Sequence, residues 1–155
     1  MTIIRTAAIQ MNVLPDKFKN IDNLRKYLDT IARENVDLVI LPEMFTCPYQ
    51  TYNFPLYAEE EGGPSWQKVS SLAAEYKIYL AAGSMPEKDE QNKTYNTAYV
   101  FNRKGKQIGK HRKAHLFNID VLGGQKFRES DTLSPGNKVT VFQTEFTPIG
   151  LSSIS

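Results

Sequence analysis

Glu43 is the residue whose type and position point most directly to chemistry, because it follows an apolar run from Leu38 to Pro42. A short run that is apolar at every position predicts a strand covered on both faces. A carboxylate at the end of such a strand can serve as a general base if it reaches the proton of a nucleophile. Glu43 could equally be an acid that favours the start of a loop or helix, where the helix dipole stabilises negative charge.

Two histidines and one cysteine offer competing chemistry. His111 and His115 are four residues apart, a spacing that suits zinc only when both residues share a helical face. The pattern there predicts a strand followed by a loop, so we predict no metal site. Cys47 is the only cysteine in the chain. A free cysteine commonly packs as a small apolar side chain, and we predict that role for Cys47.

Glycine pairs could indicate a phosphate-binding loop, but their surroundings do not support one. Gly62 and Gly63 precede a predicted helix without a strand before them, and Gly123 and Gly124 lie in a segment of little periodicity. A phosphate cradle needs a strand, a glycine-rich loop and a helix in succession. We therefore predict no nucleotide or other cofactor.

The elements that must position Glu43 alternate between strands and helices. Strands are predicted near residues 3–11, 36–41 and 78–83, and amphipathic helices follow Pro15 and begin at Pro64. A β-α-β-α-β series predicts a parallel sheet with right-handed crossovers. Loops are predicted between Phe45 and Gly63 and between Ala114 and Asn137. The remaining strands are predicted to form a hairpin with a glycine turn, at residues 95–101 and 107–112, and two short closing strands, at residues 139–143 and 148–151.

Three segments, in order along the chain, resemble the nitrilase or carbon–nitrogen hydrolase superfamily. They are Leu41 to Phe45, Lys110 to Phe117, and Phe127 to Ser130 followed by Leu133 to Gly136. The surrounding sequence, including Pro48-Tyr49 and Tyr95-Asn96-Thr97, is most similar to the omega-amidase branch. The resemblance implies an α/β fold, a partial α-β-β-α sandwich in which a mixed sheet is flanked by helices. It also implies that residues 1–155 form one incomplete carbon–nitrogen hydrolase domain.

The resemblance implies roles for three charged residues. Glu43 matches the general base, Lys113 matches the lysine that supports the tetrahedral intermediate, and Glu129 matches a second glutamate that positions the site. A donor placed at a developing oxyanion contributes about 3 kcal/mol, and a second carboxylate keeps the lysine charged and oriented. Without the resemblance, Lys113 lies in a stretch with six Lys or Arg among residues 103–113, a pattern typical of a solvated hairpin face.

The nucleophile that the resemblance implies is a cysteine after the strand at residues 148–151. The chain has Ile154 and Ser155 near that position, and neither is a thiol. We therefore expect a truncated chain that lacks its nucleophile and is inactive alone. The alternatives are a non-catalytic isoform or an interaction partner of a full-length homologue.

Composition limits the possible partners. The formal net charge is +2 and the basic hairpin lacks interleaved aromatic residues, so nucleic acid is not predicted. No apolar run reaches the 18–20 or so residues that span a bilayer, and no membrane association is predicted. A single cysteine favours a reducing compartment, and we expect a cytoplasmic location. The resemblance implies a small amide substrate, with a dicarboxylate monoamide favoured, and an assembly that is a homo-oligomer or a pair with a homologue.

Overall fold

A mixed six-stranded sheet forms the centre of the computed structural model, which describes residues 3–124 and 126–152. The first three strands are parallel, and the rest of the sheet is antiparallel. The third and fourth strands both pair with one edge of the long fifth strand, and the sixth strand pairs with its other edge. The strands are β1 (Thr6–Ala8), β2 (Leu38–Ile40), β3 (Tyr79–Ala81), β4 (Met85–Lys88), β5 (Thr94–Phe101) and β6 (Gln107–Arg112).

Two amphipathic helices cover one face of this sheet. Helix α1 (Lys17–Ile31) begins after Asp16, whose carboxylate accepts hydrogen bonds from two amides of the first turn. A five-residue helix, α2 (Asn53–Tyr57), precedes α3 (Pro64–Tyr76), which has proline in its first turn. The main core lies between these helices and the sheet and includes Leu24, Leu28, Val69, Leu72, Val39, Leu80 and Phe101.

A hairpin packs near the opposite face. Strands β9 (Thr140–Gln143) and β10 (Pro148–Leu151) are antiparallel, and Phe142 is buried against Leu38, Tyr79 and Val100 of the sheet. A smaller hairpin of β7 (Asn118–Asp120) and β8 (Lys126–Arg128) leads into a 3-10 turn over Glu129–Asp131. The α/β class with a mixed sheet and flanking helices is therefore confirmed.

The predicted loops contain more structure than their sequences indicated. The segment between Phe45 and Gly63 includes α2, and the segment between Ala114 and Asn137 includes β7 and β8. Strand β4 was missed because Pro86 and Glu87 interrupt any apolar pattern, although β4 pairs with β5 along four residues. Within the described residues, no helix combines the length and apolar character that crossing a bilayer requires.

Candidate active site

Glu43 lies just beyond the carboxyl end of β2, as its sequence position predicted. The next residue, Met44, has a left-handed backbone with a φ of 50°. The Met44 amide donates a hydrogen bond of 2.9 Å to Ser84 Oγ, and the Phe45 amide donates one of 3.1 Å to the Ser84 carbonyl. These two bonds fix the backbone that carries Glu43 against the turn after β3.

Gly83 makes that close approach between the two loops possible. Its φ is +46°, and a Cβ built at Gly83 would lie 1.9 Å from the Pro42 carbonyl oxygen. Only glycine fits both the left-handed backbone and the lack of space. Gly83 therefore controls where the loop with Glu43 can lie.

Lys113 follows β6, and two backbone hydrogen bonds hold it in place. Its amide donates to the Asn96 carbonyl at 2.8 Å, which extends the β5–β6 pairing by one residue, and its carbonyl accepts from the Gly136 amide at 2.8 Å. The Lys113 side chain is 0% exposed. The interpretation of this basic stretch as a solvated hairpin face is thus wrong for Lys113, because the sheet buries this residue.

Glu129 begins the 3-10 turn after β8 and is also 0% exposed. Its amide donates to the Phe117 carbonyl at 3.0 Å, and its Oε2 accepts from the Phe117 amide at 2.6 Å. This reciprocal pair ties Glu129 to the segment that follows Lys113. The hairpin of β7 and β8 therefore returns the chain to the lysine.

The three predicted site residues meet at the Lys113 ammonium. Lys113 Nζ lies 2.9 Å from Glu43 Oε1, 3.0 Å from Glu129 Oε2 and 3.2 Å from Glu129 Oε1. A buried ammonium is costly unless charges and hydrogen bonds compensate it, and two carboxylates do so here. The Glu43 side chain is 30% exposed, so these three residues reach the surface through Glu43. We call Glu43, Lys113 and Glu129 the Lys113 cluster.

Two polar residues of the site were not identified from the sequence pattern. Asn96 Nδ2 donates to Glu43 Oε1 at 2.6 Å, and the Tyr49 hydroxyl donates to Glu129 Oε1 at 2.5 Å. Burial, together with the Glu129 and Glu43 carboxylates, raises the pKa of Tyr49 above its ordinary value, so its hydroxyl remains a donor. One available signal was the presence of a polar amide, Asn96, in the otherwise largely apolar strand β5.

An aromatic cavity of about 230 Å³ adjoins the Lys113 cluster through Tyr49. Tyr49, Phe117, Ile119 and Phe127 line it. The Tyr49 ring stacks on Phe127 with centroids 5.5 Å apart and an interplanar angle of 14°. An apolar wall beside converging polar groups is a common arrangement in small-molecule sites.

Cys47 is placed as a core residue. It is fully buried beside Met44, Phe54 and Leu133. Burial raises the pKa of the Cys47 thiol to about 12, so thiolate is scarce at neutral pH. The Cys47 thiol donates a weak hydrogen bond to the Pro48 carbonyl at 3.4 Å. Ile154 and Ser155, near which the cysteine nucleophile was expected, lie outside the described residues.

The two histidines do not share a site. His111 is buried on β6, where Nδ1 lies 3.2 Å from Thr140 Oγ1, and burial lowers its pKa. His115 is exposed beyond the strand. Among residues 3–124 and 126–152, no group of three or more His, Cys, Asp or Glu side chains is placed to bind a metal ion.

Residues 5–154 match the sequence profile described as carbon-nitrogen hydrolase. Omega-amidase NIT2 of Mus musculus is 44% identical over 151 residues, which are 97% of this chain and 54% of that protein. A Schizosaccharomyces pombe hydrolase, C26A3.11, is 45% identical over 95% of this chain and 46% of its own length. The crystal structure of Saccharomyces cerevisiae Nit3, a member of branch 10 of the nitrilase superfamily, is 38% identical, with a TM-score of 0.84 over 96% of this chain and 54% of its own. The chain spans about half the length of the curated relatives that it matches.

Proposed function

Since this chain belongs to the carbon–nitrogen hydrolase family, we propose that its Lys113 cluster is the acid–base part of an amidase site. The observation that carries this proposal is the position of Lys113 Nζ between Glu43 Oε1 at 2.9 Å and Glu129 Oε2 at 3.0 Å. One buried cation between two carboxylates supplies a proton acceptor and an electrophilic donor side by side. Both are needed for attack on an amide.

In the proposed reaction, Glu43 takes the proton of a cysteine thiol, and the thiolate attacks the carbonyl carbon of the amide. The carbonyl oxygen becomes an oxyanion, which Lys113 stabilises electrostatically. When the tetrahedral intermediate collapses, protonated Glu43 returns its proton to the nitrogen, and ammonia leaves. Glu43 then deprotonates a water that attacks the thioester, which releases the carboxylic acid and restores the thiol.

Glu129 is proposed to support this chemistry without touching the substrate. Its Oε1 accepts hydrogen bonds from Lys113 Nζ and the Tyr49 hydroxyl, and its Oε2 accepts from the Phe117 amide and lies 3.0 Å from Lys113 Nζ. These donors hold its carboxylate in one orientation, so Glu129 in turn holds the lysine. An ammonium that gives one hydrogen to each carboxylate retains a third for the oxyanion.

The thiol of the proposed reaction is not Cys47, because that sulfur is fully buried and its pKa is about 12. Cys47 is also the only cysteine of the 155 residues. We therefore propose that these 155 residues hydrolyse no amide alone and that catalysis needs a thiol from additional sequence. The substrate class proposed is the monoamide of a dicarboxylate, which the 44% identity to the Mus musculus omega-amidase supports.

A chimera tests this proposal. Residues 1–151 would be joined to the part of the Mus musculus protein that follows the residue aligned with Leu151, and ammonia release from succinamate would be measured. We expect turnover by the chimera, a loss of at least about 100-fold in Glu43→Gln, and none by the 155-residue chain. A folded chimera without activity would contradict the proposal, as would turnover by the 155-residue chain that Glu43→Gln abolishes.

Association with a second chain is the other function that an observation favours. Strand β9 exposes Val139 beside it and Val141 within it, at 94% and 58%, and the tip of the β7–β8 hairpin exposes Leu122. We propose that the surface formed by these exposed apolar side chains pairs with another copy or with a homologue, since exposed apolar side chains favour association. Sedimentation of the purified chain is expected to show oligomers, and a monomer at all concentrations would contradict pairing with another copy.

A further inference from the structure

Asn96 contacts two residues of the Lys113 cluster, Glu43 through its side chain and Lys113 through its backbone. Nδ2 donates to Glu43 Oε1 at 2.6 Å, and the carbonyl oxygen accepts from the Lys113 amide at 2.8 Å. Asn96 is 1% exposed and lies within β5, which pairs with β4 on one edge and β6 on the other. A rigid strand residue therefore sets the distance between the carboxylate and the lysine.

The two oxygens of Glu43 are consequently not equivalent. Oε1 accepts from Asn96 Nδ2 at 2.6 Å and from Lys113 Nζ at 2.9 Å. In the part of the chain that the structure describes, no protein group donates a hydrogen bond to Oε2. An oxygen that already holds two donors has little capacity for a further proton, whereas an oxygen without donors can take one.

The orientation of the Asn96 amide is determined by the carboxylate. Asn96 Oδ1 is buried and has no hydrogen-bond partner among the described residues. A buried unpaired oxygen is unfavourable, but rotating the amide would direct that oxygen at Glu43 Oε1 and remove the donor. The amide orientation that preserves the hydrogen bond to Glu43 therefore leaves Asn96 Oδ1 without a partner among the described residues.

We propose that Asn96 is a positioning residue that holds Glu43 by Oε1 and leaves Oε2 as the oxygen that accepts the proton. The proposal rests on the proposed role of Glu43 as the base and adds which oxygen acts and what selects it. Asn96 does not touch the substrate in this scheme. It acts only through the carboxylate and the lysine backbone.

The first test uses NMR on the 155-residue chain and needs no activity. In the unmodified chain, we expect the Asn96 side-chain amide proton to resonate downfield because its acceptor is charged. Glu43→Ala should move this signal upfield. In Asn96→Leu, the three-bond couplings of Glu43 should change from those of one χ1 rotamer to an average over several.

Thr97→Val is the matched control. Thr97 is the next residue of β5, is equally buried, and donates a 2.6 Å hydrogen bond to a different carboxylate, Glu87. Like the substitution of Asn96, this one removes a hydrogen bond from a buried side chain of β5 to a carboxylate. We expect it to leave the Glu43 couplings and the Asn96 amide signal unchanged.

Stability distinguishes positioning from a purely structural role. Asn96→Leu removes the donor and the unpaired oxygen together and adds apolar volume, so its unfolding midpoint should change by no more than about 4 °C. Asn96→Asp keeps the shape but places a second carboxylate against Oε1, and it should displace Glu43 even if the leucine variant folds poorly. A Glu43 side chain that keeps one rotamer in both variants would overturn the proposal.

Kinetics of the chimera described above provide a second readout. Asn96→Leu should lower kcat at least about 10-fold with little change in KM, because ground-state binding does not use this contact. If the chimera is inactive, the proposed function fails, while the NMR couplings still decide whether Asn96 positions Glu43.

Discussion

Two clusters of charged side chains lie beside the paired strands β5 and β6, and only one of them retains unused hydrogen-bonding capacity. In the Glu87 cluster, formed by Glu87, Lys110, Arg112 and Thr97, Glu87 is almost fully buried. Its carboxylate accepts from Arg112 Nη2 at 2.7 Å, from Lys110 Nζ at 2.7 Å and from Thr97 Oγ1 at 2.6 Å. Both carboxylate oxygens are therefore occupied.

The Lys113 cluster is assembled differently. Glu43 is 30% exposed and offers Oε2 without a donor among the described residues, and its neighbour Asn96 keeps a buried Oδ1 unpaired. Asn96 and Thr97 are consecutive on a strand, so their side chains point to opposite faces and serve different clusters. The Glu87 cluster thus saturates its acceptors, whereas the cluster that we propose to be reactive leaves one carboxylate oxygen available.

The largest expected effect is the loss of the lysine from the Lys113 cluster. Lys113→Met should lower the free energy of unfolding by about 3–5 kcal/mol, because Glu129 would remain buried without its cation. Urea denaturation measures the change. Adding Glu129→Gln should recover part of the loss, since the unpaired charge is then removed. Lys126→Met, at a side chain 64% exposed, is the control and should change stability by less than about 0.5 kcal/mol.

The second prediction concerns the saturated cluster and its dependence on pH. Burial alone would raise the pKa of Glu87, but hydrogen bonds from Arg112, Lys110 and Thr97 outweigh it and hold the pKa below its ordinary value. The stabilisation is therefore present above about pH 4.3 and is lost as pH falls toward the folded-state pKa. Glu87→Gln should cost about 2 kcal/mol at pH 7.

Acid titration of stability checks the sign of that effect. The Glu87→Gln variant should lose less stability than the parent chain between neutral pH and the acid transition, because the titrating carboxylate is absent. If the free energy of unfolding fell equally with pH in the two proteins, ionised Glu87 would not stabilise the fold, and the contrast between the two clusters would fail.

The third prediction tests a support of Glu129. Tyr49→Phe removes the hydroxyl that donates to Glu129 Oε1 but keeps the ring that stacks on Phe127. We expect a loss of about 1 kcal/mol, because Lys113 and the Phe117 amide still satisfy the carboxylate. Chemical denaturation measures it, and no change would mean that the hydroxyl hydrogen bond is exchanged for water without cost.

The smallest effect is expected for a partly exposed cation of the saturated cluster. Lys110→Gln leaves Arg112 on Glu87, and the lost contact to Glu61 is a surface pair. We expect a change of about 0.5 kcal/mol that decreases as salt is added. A loss as large as that of Lys113→Met would remove the distinction between the two clusters.

The elements that carry the site were predictable because their signals are local. Asp16 before α1, Pro64 at the start of α3 and the apolar run before Glu43 each act within a few residues. Strand β4 lacked such a signal, since Met85 to Lys88 is a strand only because β5 lies beside it. Helix α2 was also not predicted within the segment before α3; its Phe54 packs in the core cluster with Met44 and Leu133.

The sequence by itself determined the α/β order of strands and helices, the position of Glu43 at a strand end, and the resemblance that relates Glu43 to Lys113 and Glu129. Only the tertiary structure decided that Lys113 is buried while Lys110 and Arg112 face another carboxylate, and that Asn96 donates to Glu43. The physical reason is that strand and helix patterns arise from neighbouring residues. Burial and hydrogen-bond partners instead depend on segments 16 to 70 residues apart, which meet only when the sheet forms.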